Sequence, residues 1–256
     1  MSVLKCEHLG IVFGGLAAVN DFNIEINENE IAGLIGPNGA GKTTAFNLLT
    51  GVYEPTYGTV SLCDQPLAGM STIQRNRAGI ARTFQNIRLF GEMSVLDNVL
   101  VGYNQEMKYS PASAFFRLPA YWKEEKAAKE EGLKLLSIFD MQDMADVKAS
   151  SLPYGAQRRL EIVRALATKP KLLLLDEPAA GMNPAETAAL METIGKIRDE
   201  FHIAILLIEH DMSLVMGICD HITVLNFGQV IAKGTPSEIQ NNPAVIEAYL
   251  GKQKEA

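Results

Sequence analysis

Nine residues near the start of the chain constrain its fold more than any other feature of the sequence. The first eight of them fit the pattern G-x-x-x-x-G-K-[ST]. A short apolar run, Ile31–Ile35, precedes them, and a stretch that reads as a helix, Lys42–Thr50, overlaps their end. A strand, a glycine-rich turn and a helix in this order wrap backbone N–H groups around phosphates. The pattern therefore predicts an α/β fold with a phosphate-binding loop. The loop comprises Gly36, Pro37, Asn38, Gly39, Ala40, Gly41, Lys42, Thr43 and Thr44.

Two side chains of this loop carry chemistry that a nucleoside triphosphate requires. The Lys42 ammonium can reach the β- and γ-phosphates, and the Thr43 hydroxyl can bind Mg²⁺. A GTP-binding protein would also need an Asn-Lys-x-Asp motif to read the base, and the sequence has none. The loop thus predicts a triphosphate site and disfavours a GTPase.

A second motif, Asp176 and Glu177, follows the apolar run Leu172–Leu175. A buried strand that ends in an aspartate can present one carboxylate to Mg²⁺ through water. The next residue, Glu177, is then placed to orient or deprotonate an attacking water. Alone, the motif fits a solvated acidic turn equally well, but the phosphate-binding loop favours the catalytic interpretation.

Three further residues have both a functional and a structural interpretation. His210 follows the apolar run Ala204–Ile208 and can donate a hydrogen bond to a γ-phosphate, although a lone histidine there is more often structural. Gln85 lies where the α/β pattern gives way to helices, and its amide can contact Mg²⁺ or the attacking water. Phe13 precedes two glycines and can either stack on adenine or pack in the core.

Composition limits the class of protein. The 256 residues include 23 Lys and Arg against 30 Asp and Glu, and the net charge of −7 argues against non-specific nucleic-acid binding. A spanning helix needs about 20 predominantly apolar residues, which the sequence lacks, and the first residues do not fit a signal peptide. Cys6, Cys63 and Cys219 form no metal motif or disulfide framework. We therefore expect a soluble protein of the reducing cytosol.

The chain reads as an α/β core interrupted by a helical segment. Phe22–Asn27 alternates apolar and polar residues like a half-buried strand, whereas Lys171–Leu175 and Ala204–Ile208 are typical of parallel strands buried on both faces. Residues 94–168 are mostly helical in pattern, with apolar residues at helical spacing in Lys123–Phe139. This change of pattern predicts a core interrupted by an inserted helical subdomain. The core covers residues 1–84 and 165–256, and the subdomain covers residues 85–164.

In their order, these motifs resemble those of the ATP-binding subunits of ABC transporters. That family carries a phosphate-binding loop, a Gln loop, a Leu-Ser-Gly-Gly-Gln signature, an Asp-Glu strand end, a D-loop and a switch histidine. Their counterparts here are Gly36–Thr44, Gln85, Leu152–Ala156, Asp176-Glu177, Asn183 and His210. More narrowly, the chain resembles the ATPases of branched-chain amino-acid importers. The stretches that carry this resemblance are Phe13–Val19, Arg82–Phe90, Glu177–Pro184 and Ala248–Gly251.

The resemblance implies a fold, two ligands and a set of roles. The fold is α/β, a P-loop NTPase of the ABC ATPase type with an antiparallel β edge and an inserted α-helical subdomain. The ligands are ATP and Mg²⁺, with Phe13 against the adenine. The implied catalytic residues are Lys42, Gln85, Glu177 and His210. The implied metal-binding residues are Thr43, Gln85 and Asp176.

The resemblance also implies a head-to-tail dimer, in which Gly155 and Asn183 act on the nucleotide of the opposite subunit. Two departures from the family pattern affect this contact. Pro153 replaces the signature serine and offers neither a hydroxyl nor an N–H, which should weaken the site. Gly155 keeps its amide, and a predicted helix, Gln157–Thr168 with two arginines in its first turn, can still point its N-terminus at phosphate. Asn183 keeps the shape of the usual aspartate without its charge, so contacts across the dimer should differ. The catalytic residues are all present, and we therefore expect hydrolysis at both sites of a symmetric dimer.

The implied partners are a second ATPase subunit, identical or related, two transmembrane permease subunits and, indirectly, a separate substrate-binding protein. No nucleic acid is implied. The implied location is the cytoplasmic face of the membrane, held there by the permeases. Four aromatic residues of the helical subdomain either contact these partners or pack within the subdomain. They are Phe115, Phe116, Tyr121 and Trp122.

Other ABC ATPases stay open as alternatives. ATPases for urea or amide import and for lipopolysaccharide export share parts of these motifs, but the Arg82–Phe90 stretch favours the amino-acid importer. ATPases of translation usually carry two cassettes in one chain, and those of DNA repair carry long coiled coils. One cassette, a short helical segment and few basic residues disfavour both classes.

Overall fold

The structure, a computed structural model, describes residues 1–250, without the side chains of Glu106, Pro111 and Leu250. Gly251, which ends one of the stretches of family resemblance, and the rest of the predicted core up to residue 256 lie outside the described residues. The chain divides into two compact units, of which the second is Thr83–Pro170 and the first is the remainder. The division thus falls at 82/83 and 170/171, compared with 84/85 and 164/165 in the sequence-based division.

The first unit holds the strands of the described residues and six of their helices. The strands are β1 (Ser2–Phe13), β2 (Leu16–Asn27), β3 (Ile31–Ile35), β4 (Tyr57–Leu62), β5 (Gln65–Pro66), β6 (Ile80–Arg82), β7 (Leu172–Asp176), β8 (Ala204–Ile208), β9 (His221–Asn226) and β10 (Gln229–Gly234). The helices are α1 (Lys42–Thr50), α2 (Thr72–Ala78), α7 (Pro184–Phe201), α8 (Met212–Ile218), α9 (Pro236–Gln240) and α10 (Pro243–Leu250). Those of the second unit are α3 (Val95–Tyr103), α4 (Pro111–Phe115), α5 (Pro119–Ile138) and α6 (Tyr154–Leu166).

The larger sheet positions the functional residues. Its order is β10-β9-β3-β8-β7-β6, and its neighbouring strands are parallel except for the β10–β9 pair. Every residue of β3, β7 and β8 is buried, which explains their continuous apolar sequences. Ligands of parallel sheets bind beyond the carboxyl ends of the strands. The phosphate-binding loop, Glu177 and His210 follow the carboxyl ends of three adjacent strands, β3, β7 and β8. They therefore lie at the edge of the sheet where a ligand would bind.

A second, antiparallel sheet forms the predicted β edge, with the order β2-β1-β4-β5. The sequence-predicted strand Phe22–Asn27 is the second half of β2, whose first half the alternation pattern missed. Phe22, Ile24 and Ile26 of this strand and Phe46 and Leu49 of α1 belong to one buried apolar cluster. This cluster anchors the helix that leads out of the phosphate-binding loop.

The second unit is helical, as the sequence predicts. Helix α3 contacts both α5 and α6, with Val99, Leu136 and Leu160 fully buried on the three helices. The predicted helix at Lys123–Phe139 begins four residues earlier in the structure, at Pro119, which is suited to a first helical position. In the part of the chain that the structure describes, no helix is long and apolar enough to cross a membrane.

Candidate functional site

Two glycines allow the phosphate-binding loop to take its shape. Gly36 has φ 151° and Gly41 has φ 104°, both in the region that favours glycine. A Cβ on Gly36 would lie 2.1 Å from the Leu225 carbonyl oxygen, and one on Gly41 would lie 2.7 Å from that of Ala18. Both positions thus exclude side chains for conformational and steric reasons. The turn aims helix α1 at the space enclosed by the loop.

The N-terminus of α1 is suited to bind an anion. Its N-cap, Gly41, has no side chain that bonds the first N–H groups, and its first turn holds no acidic residue. In contrast, Asn183 caps α7 and Asp211 caps α8 through their side-chain oxygens. The first N–H groups of α1 carry the positive end of the helix dipole. A phosphate group fits this uncapped end.

The Lys42 side chain is buried against the loop itself. Its ammonium donates to the carbonyl oxygens of Gly36 at 2.6 Å and Pro37 at 3.0 Å. Burial lowers the pKa of Lys42, while the negative charges of Glu177 and Asp176 act in the opposite direction. The ammonium is thus held inside the loop, where a phosphate would be enclosed.

A cavity of about 390 Å³ lies over the loop. Its lining brings together loop residues 38–44, which include Lys42, Thr43 and Thr44, with Glu177 and His210. Leu16, Ala17 and Ala18 of the β1–β2 hairpin, together with Phe227 and Gly228, complete the wall. The structure thus brings together at one place the phosphate-binding loop, Glu177 and His210, which the sequence singled out separately.

Phe13 lies outside this lining, although it belongs to the same hairpin. Its ring packs edge-on against Tyr53 with centroids 5.3 Å apart, and 44% of the residue is exposed. It is not a core aromatic, which was the structural interpretation of the sequence. Its contact with adenine stays a prediction, and the apolar wall near the loop comes from Leu16 to Ala18 instead.

Glu177 and His210 form a direct pair. Nε2 of His210 lies 2.6 Å from Oε1 of Glu177, which as a carboxylate accepts the hydrogen bond. Glu177 has φ 48°, an unusual conformation for a residue with a side chain, and its N–H donates to the Ile208 carbonyl at 2.9 Å. Such backbone strain costs about 1–3 kcal/mol and concentrates at functional sites. The arrangement presents a carboxylate to the cavity with a histidine beside it.

Asp176 is buried and makes an ion pair that sequence reasoning missed. Its Oδ2 accepts from the Arg82 guanidinium at 2.7 Å, and the same guanidinium donates to Oδ1 of Asn47 at 2.7 Å. Arg82 thus links the end of β7 to helix α1. Arg82 meets Asp176 because β6, which ends at Arg82, pairs directly with β7, which ends at Asp176. The sequence alone does not reveal that these strands are neighbours, so it carried no signal for this ion pair.

Glu209 is a second residue that sequence reasoning missed. It is 4% exposed, its Oε1 accepts the Ala179 N–H at 2.7 Å, and its Oε2 accepts the His210 N–H at 3.0 Å. Burial raises the pKa of Glu209 above its usual range, although these backbone hydrogen bonds lower it. The carboxylate ties together the segments that carry Glu177 and His210. The sequence did offer a signal for Glu209, because this acid lies directly between the buried strand β8 and the candidate residue His210.

Gln85 belongs to the second unit, where its side chain is exposed. Its backbone carbonyl accepts from the Arg158 guanidinium at 3.1 Å, and the carbonyl of Phe84 accepts from the same group. Arg158 is completely buried and pairs with Glu161 at 2.7 Å. The sequence interpretation placed Arg158 among basic residues near a phosphate-facing helix end. In the structure this guanidinium is enclosed within the unit, where it holds the Gln85 segment.

The signature segment also differs from its sequence interpretation. Helix α6 begins at Tyr154, three residues before the predicted Gln157, so Gly155 lies within its first turn. Pro153 takes the N-cap position without a side-chain hydrogen bond, and the first turn has no acidic residue. Proline is tolerated at a helix start because the first N–H groups have no partner within the helix. Pro153 therefore leaves the Gly155 end of α6 uncapped and able to accept an anion.

Asn183 has a structural role in the described chain. Its Oδ1 accepts the N–H groups of Ala185 and Glu186, each at 3.0 Å, and Glu186 returns a bond to the Asn183 N–H at 2.9 Å. This reciprocal capping box starts α7. An aspartate in this position would serve equally well as a cap.

Comparisons with known proteins identify the family. Residues 19–180 match the ABC transporter family, which covers more than half of the chain. The chain belongs to the ABC transporter family. Residues 229–255 of this ABC protein also match the family described as branched-chain amino acid ATP-binding cassette transporter.

Relatives that match nearly the whole chain support the same family. This ABC protein is 51% identical over 250 residues to the high-affinity branched-chain amino acid transport ATP-binding protein LivG of Salmonella typhimurium. It is 46% identical over 250 residues to BraF of Pseudomonas aeruginosa, which bears the same description, and both comparisons cover 98% of each chain. A solved ATP-binding cassette of an ABC transporter in its ADP conformation is 32% identical with a TM-score of 0.85, covering 98% of this chain and 100% of that one.

These findings confirm the predicted fold class, the resemblance to branched-chain amino-acid importer ATPases and the ATPase activity of the chain. Membership of the ABC family makes the chain a nucleotide-binding subunit of a transporter. The roles of the individual site residues rest on the geometry described above.

Proposed function

We propose that this ABC protein hydrolyses ATP to drive the import of branched-chain amino acids. The observation that carries the proposal is the assembly of Lys42, Glu177 and His210 around one cavity at the carboxyl ends of adjacent strands. Sequence identity near one half with transport proteins for these amino acids supports the choice of cargo.

In this proposal, the loop, Lys42, Glu177 and His210 have distinct tasks. The N–H groups of the loop and of the first turn of α1 bind the phosphates, and Lys42 neutralises the charge that builds on the γ-phosphate during hydrolysis. Glu177 orients the attacking water and accepts its proton. His210 holds Glu177 through the hydrogen bond between their side chains and donates to the γ-phosphate when ATP is bound.

The residues present fit an Mg²⁺ ion that nucleotide phosphates help to hold. Among residues 1–250, no group of three or more His, Cys, Asp or Glu side chains forms a metal site by itself. Protein-bound Mg²⁺ uses one or two carboxylates together with phosphates and water. We assign Thr43 and Asp176 to it, with Asp176 acting through water. When bound, the ion supplies charge neutralisation at the β- and γ-phosphates.

The functional assembly in this proposal is a head-to-tail dimer, with the same chain or a related one as the second subunit. Each ATP contacts the loop of one subunit and the Gly155 end of α6 of the other. The uncapped start of that helix supports this assignment in spite of Pro153. Asn183 lies in the contact between the subunits. Two permease subunits hold the dimer at the cytoplasmic face of the membrane, and a separate binding protein delivers the cargo.

Reconstitution tests the proposal. The chain is combined with its permease subunits, a partner ATPase where one exists and the binding protein in proteoliposomes, and uptake of radiolabelled leucine, isoleucine and valine is measured. We expect uptake that requires ATP and is abolished by Lys42→Ala. Uptake of urea or another amide in place of the amino acids would overturn the cargo, while loss of ATP dependence would overturn the energetic role.

A further inference from the structure

The second unit exposes a cluster of large apolar side chains on α4, α5 and the link between them. Phe115 is 82% exposed, Phe116 69%, Trp122 55% and Leu118 48%. We call these four residues the aromatic patch. The rings of Phe115 and Phe116 pack edge-on at 5.1 Å, so they present a joint surface. Large exposed apolar clusters mark sites of interaction with proteins or membranes.

Tyr121 separates the aromatic patch from the interior of its unit. It is half-buried and packs edge-on against Tyr109 at 5.2 Å and against Trp122 at 5.3 Å. The Tyr109 hydroxyl bonds Oε1 of Glu125 at 3.0 Å. Of the four aromatic residues that the sequence singled out, Tyr121 thus packs within its unit, and the other three face outward.

The exposed charges around the aromatic patch are mainly basic. All exposed charged residues of the segment 108–129 are basic, although the chain as a whole carries −7. The next residue of α5, Glu130, is also exposed and pairs with Lys126 at 3.9 Å. The two glutamates within the segment 108–129 are half-buried. Glu124 accepts from the backbone N–H groups of Lys108 and Tyr109, and Glu125 accepts from the Tyr109 hydroxyl. The exposed basic residues are Lys108, Arg117, Lys123, Lys126 and Lys129.

The basic and aromatic groups are arranged together. The Arg117 guanidinium carbon lies 6.0 Å from the centroid of the Trp122 ring. Trp122, Lys126 and Lys129 follow the spacing i, i+4, i+7 on α5, which places them along one helix face. Glu125 at i+3 shares this face, where it is half-buried and accepts from the Tyr109 hydroxyl. Tryptophan and phenylalanine rings with flanking Lys and Arg are the composition of a surface that inserts at the headgroup level of an anionic bilayer.

We propose that the aromatic patch inserts into the interface of an anionic lipid bilayer and that the surrounding lysines and Arg117 bind the lipid phosphates. The apolar rings supply the free energy of insertion, and the basic groups supply attraction to the surface. This contact is additional to the permease contacts of the proposed function. It does not depend on the cargo, since it uses none of the residues of the nucleotide cavity.

The fluorescence of Trp122, the single tryptophan of the chain, reports directly on this contact. The full chain is titrated with vesicles of phosphatidylglycerol and phosphatidylethanolamine in a roughly 1:3 ratio and, separately, with vesicles of phosphatidylcholine alone. We expect a blue shift and co-sedimentation with the anionic vesicles, both weakened by salt, and much weaker binding to phosphatidylcholine.

Two sets of variants test the aromatic patch itself. We expect Phe115→Ser with Phe116→Ser to weaken vesicle binding by about tenfold or more, and Arg117→Gln with Lys123→Gln to weaken it by about tenfold. Ile73→Ser is the control, because Ile73 is 65% exposed in the first unit. ATP hydrolysis by each variant shows that it is folded.

Three results would overturn the proposal. The first is the absence of a Trp122 blue shift on anionic vesicles. The second is binding that Ile73→Ser weakens as much as the double phenylalanine variant does. The third is a double phenylalanine variant that loses affinity for detergent-solubilised permeases while vesicle binding is absent, since this result would assign the aromatic patch to a protein partner.

Discussion

Oε1 of Glu177 lies 2.6 Å from Nε2 of His210, although 33 residues separate them in the chain. Their contact exists because β7 and β8 are parallel neighbours whose carboxyl ends meet at one sheet edge. Glu209 adds a second link between the same two segments through the N–H groups of Ala179 and His210. The candidate general base is thus positioned by contacts within the fold itself.

The glycines of the phosphate-binding loop should differ in their tolerance of a side chain. Gly41→Ala places a Cβ 2.7 Å from the Ala18 carbonyl oxygen at φ 104°, whereas Gly39→Ala at φ 78° meets nothing within 4 Å. We expect Gly41→Ala to destabilise the chain by about 2–3 kcal/mol, and Gly39→Ala by about 1 kcal/mol. Urea unfolding measures both, and equal losses would contradict the steric role of Gly41.

The buried ion pair of the second unit should carry much of its local stability. Arg158→Leu leaves Glu161 buried without its partner and frees the carbonyls of Phe84 and Gln85, so we expect a loss of about 3–5 kcal/mol. Arg158→Leu should also speed the hydrogen exchange of backbone amides in the segment after Gln85, because this segment loses its bond to the guanidinium. Lys134→Leu is the matched control, because it removes another pair at i,i+3 spacing, with Glu131, that is exposed. Similar destabilisation by both variants would refute the role of Arg158.

The raised pKa of Glu209 predicts a pH dependence of stability. In the unfolded chain its carboxyl ionises near its ordinary pKa of 4.5, whereas burial keeps it protonated to higher pH in the folded chain. As pH rises from 4.5 through the folded-state pKa, the unfolded state loses its proton first, so this group lowers the free energy of unfolding. We expect wild type to lose stability relative to Glu209→Gln across that window. Thermal melts at matched pH measure the difference, and a constant difference would count against a raised pKa.

The sequence predicted the elements of the core that carry periodic or motif signals. Helix α1 has the predicted bounds, Lys42–Thr50, and β8 matches its apolar run residue for residue. The helical character of the second unit was also evident, because its apolar residues recur at helical spacing.

Long-range pairings were beyond the sequence. Arg82 with Asp176, and Arg158 with the Gln85 segment, depend on which strands and helices become neighbours, which local patterns do not encode. The predicted start of α6 at Gln157 was three residues late, since Pro153 takes the N-cap position and the helix begins at Tyr154. The exposure of Phe115 and Phe116 was equally undecidable, since two adjacent aromatic residues fit a core and a surface alike.

In the proposed mechanism Glu177 acts on the attacking water, and the turnover of Glu177→Gln tests this role most directly. Steady-state hydrolysis at saturating ATP and Mg²⁺ is compared between wild type, Glu177→Gln and Glu192→Gln, whose side chain is exposed on α7 and pairs with Lys196. We expect turnover by Glu177→Gln to fall by about 10²–10³ with ATP binding retained, and Glu192→Gln to match wild type. Near-normal turnover by Glu177→Gln would contradict the assignment.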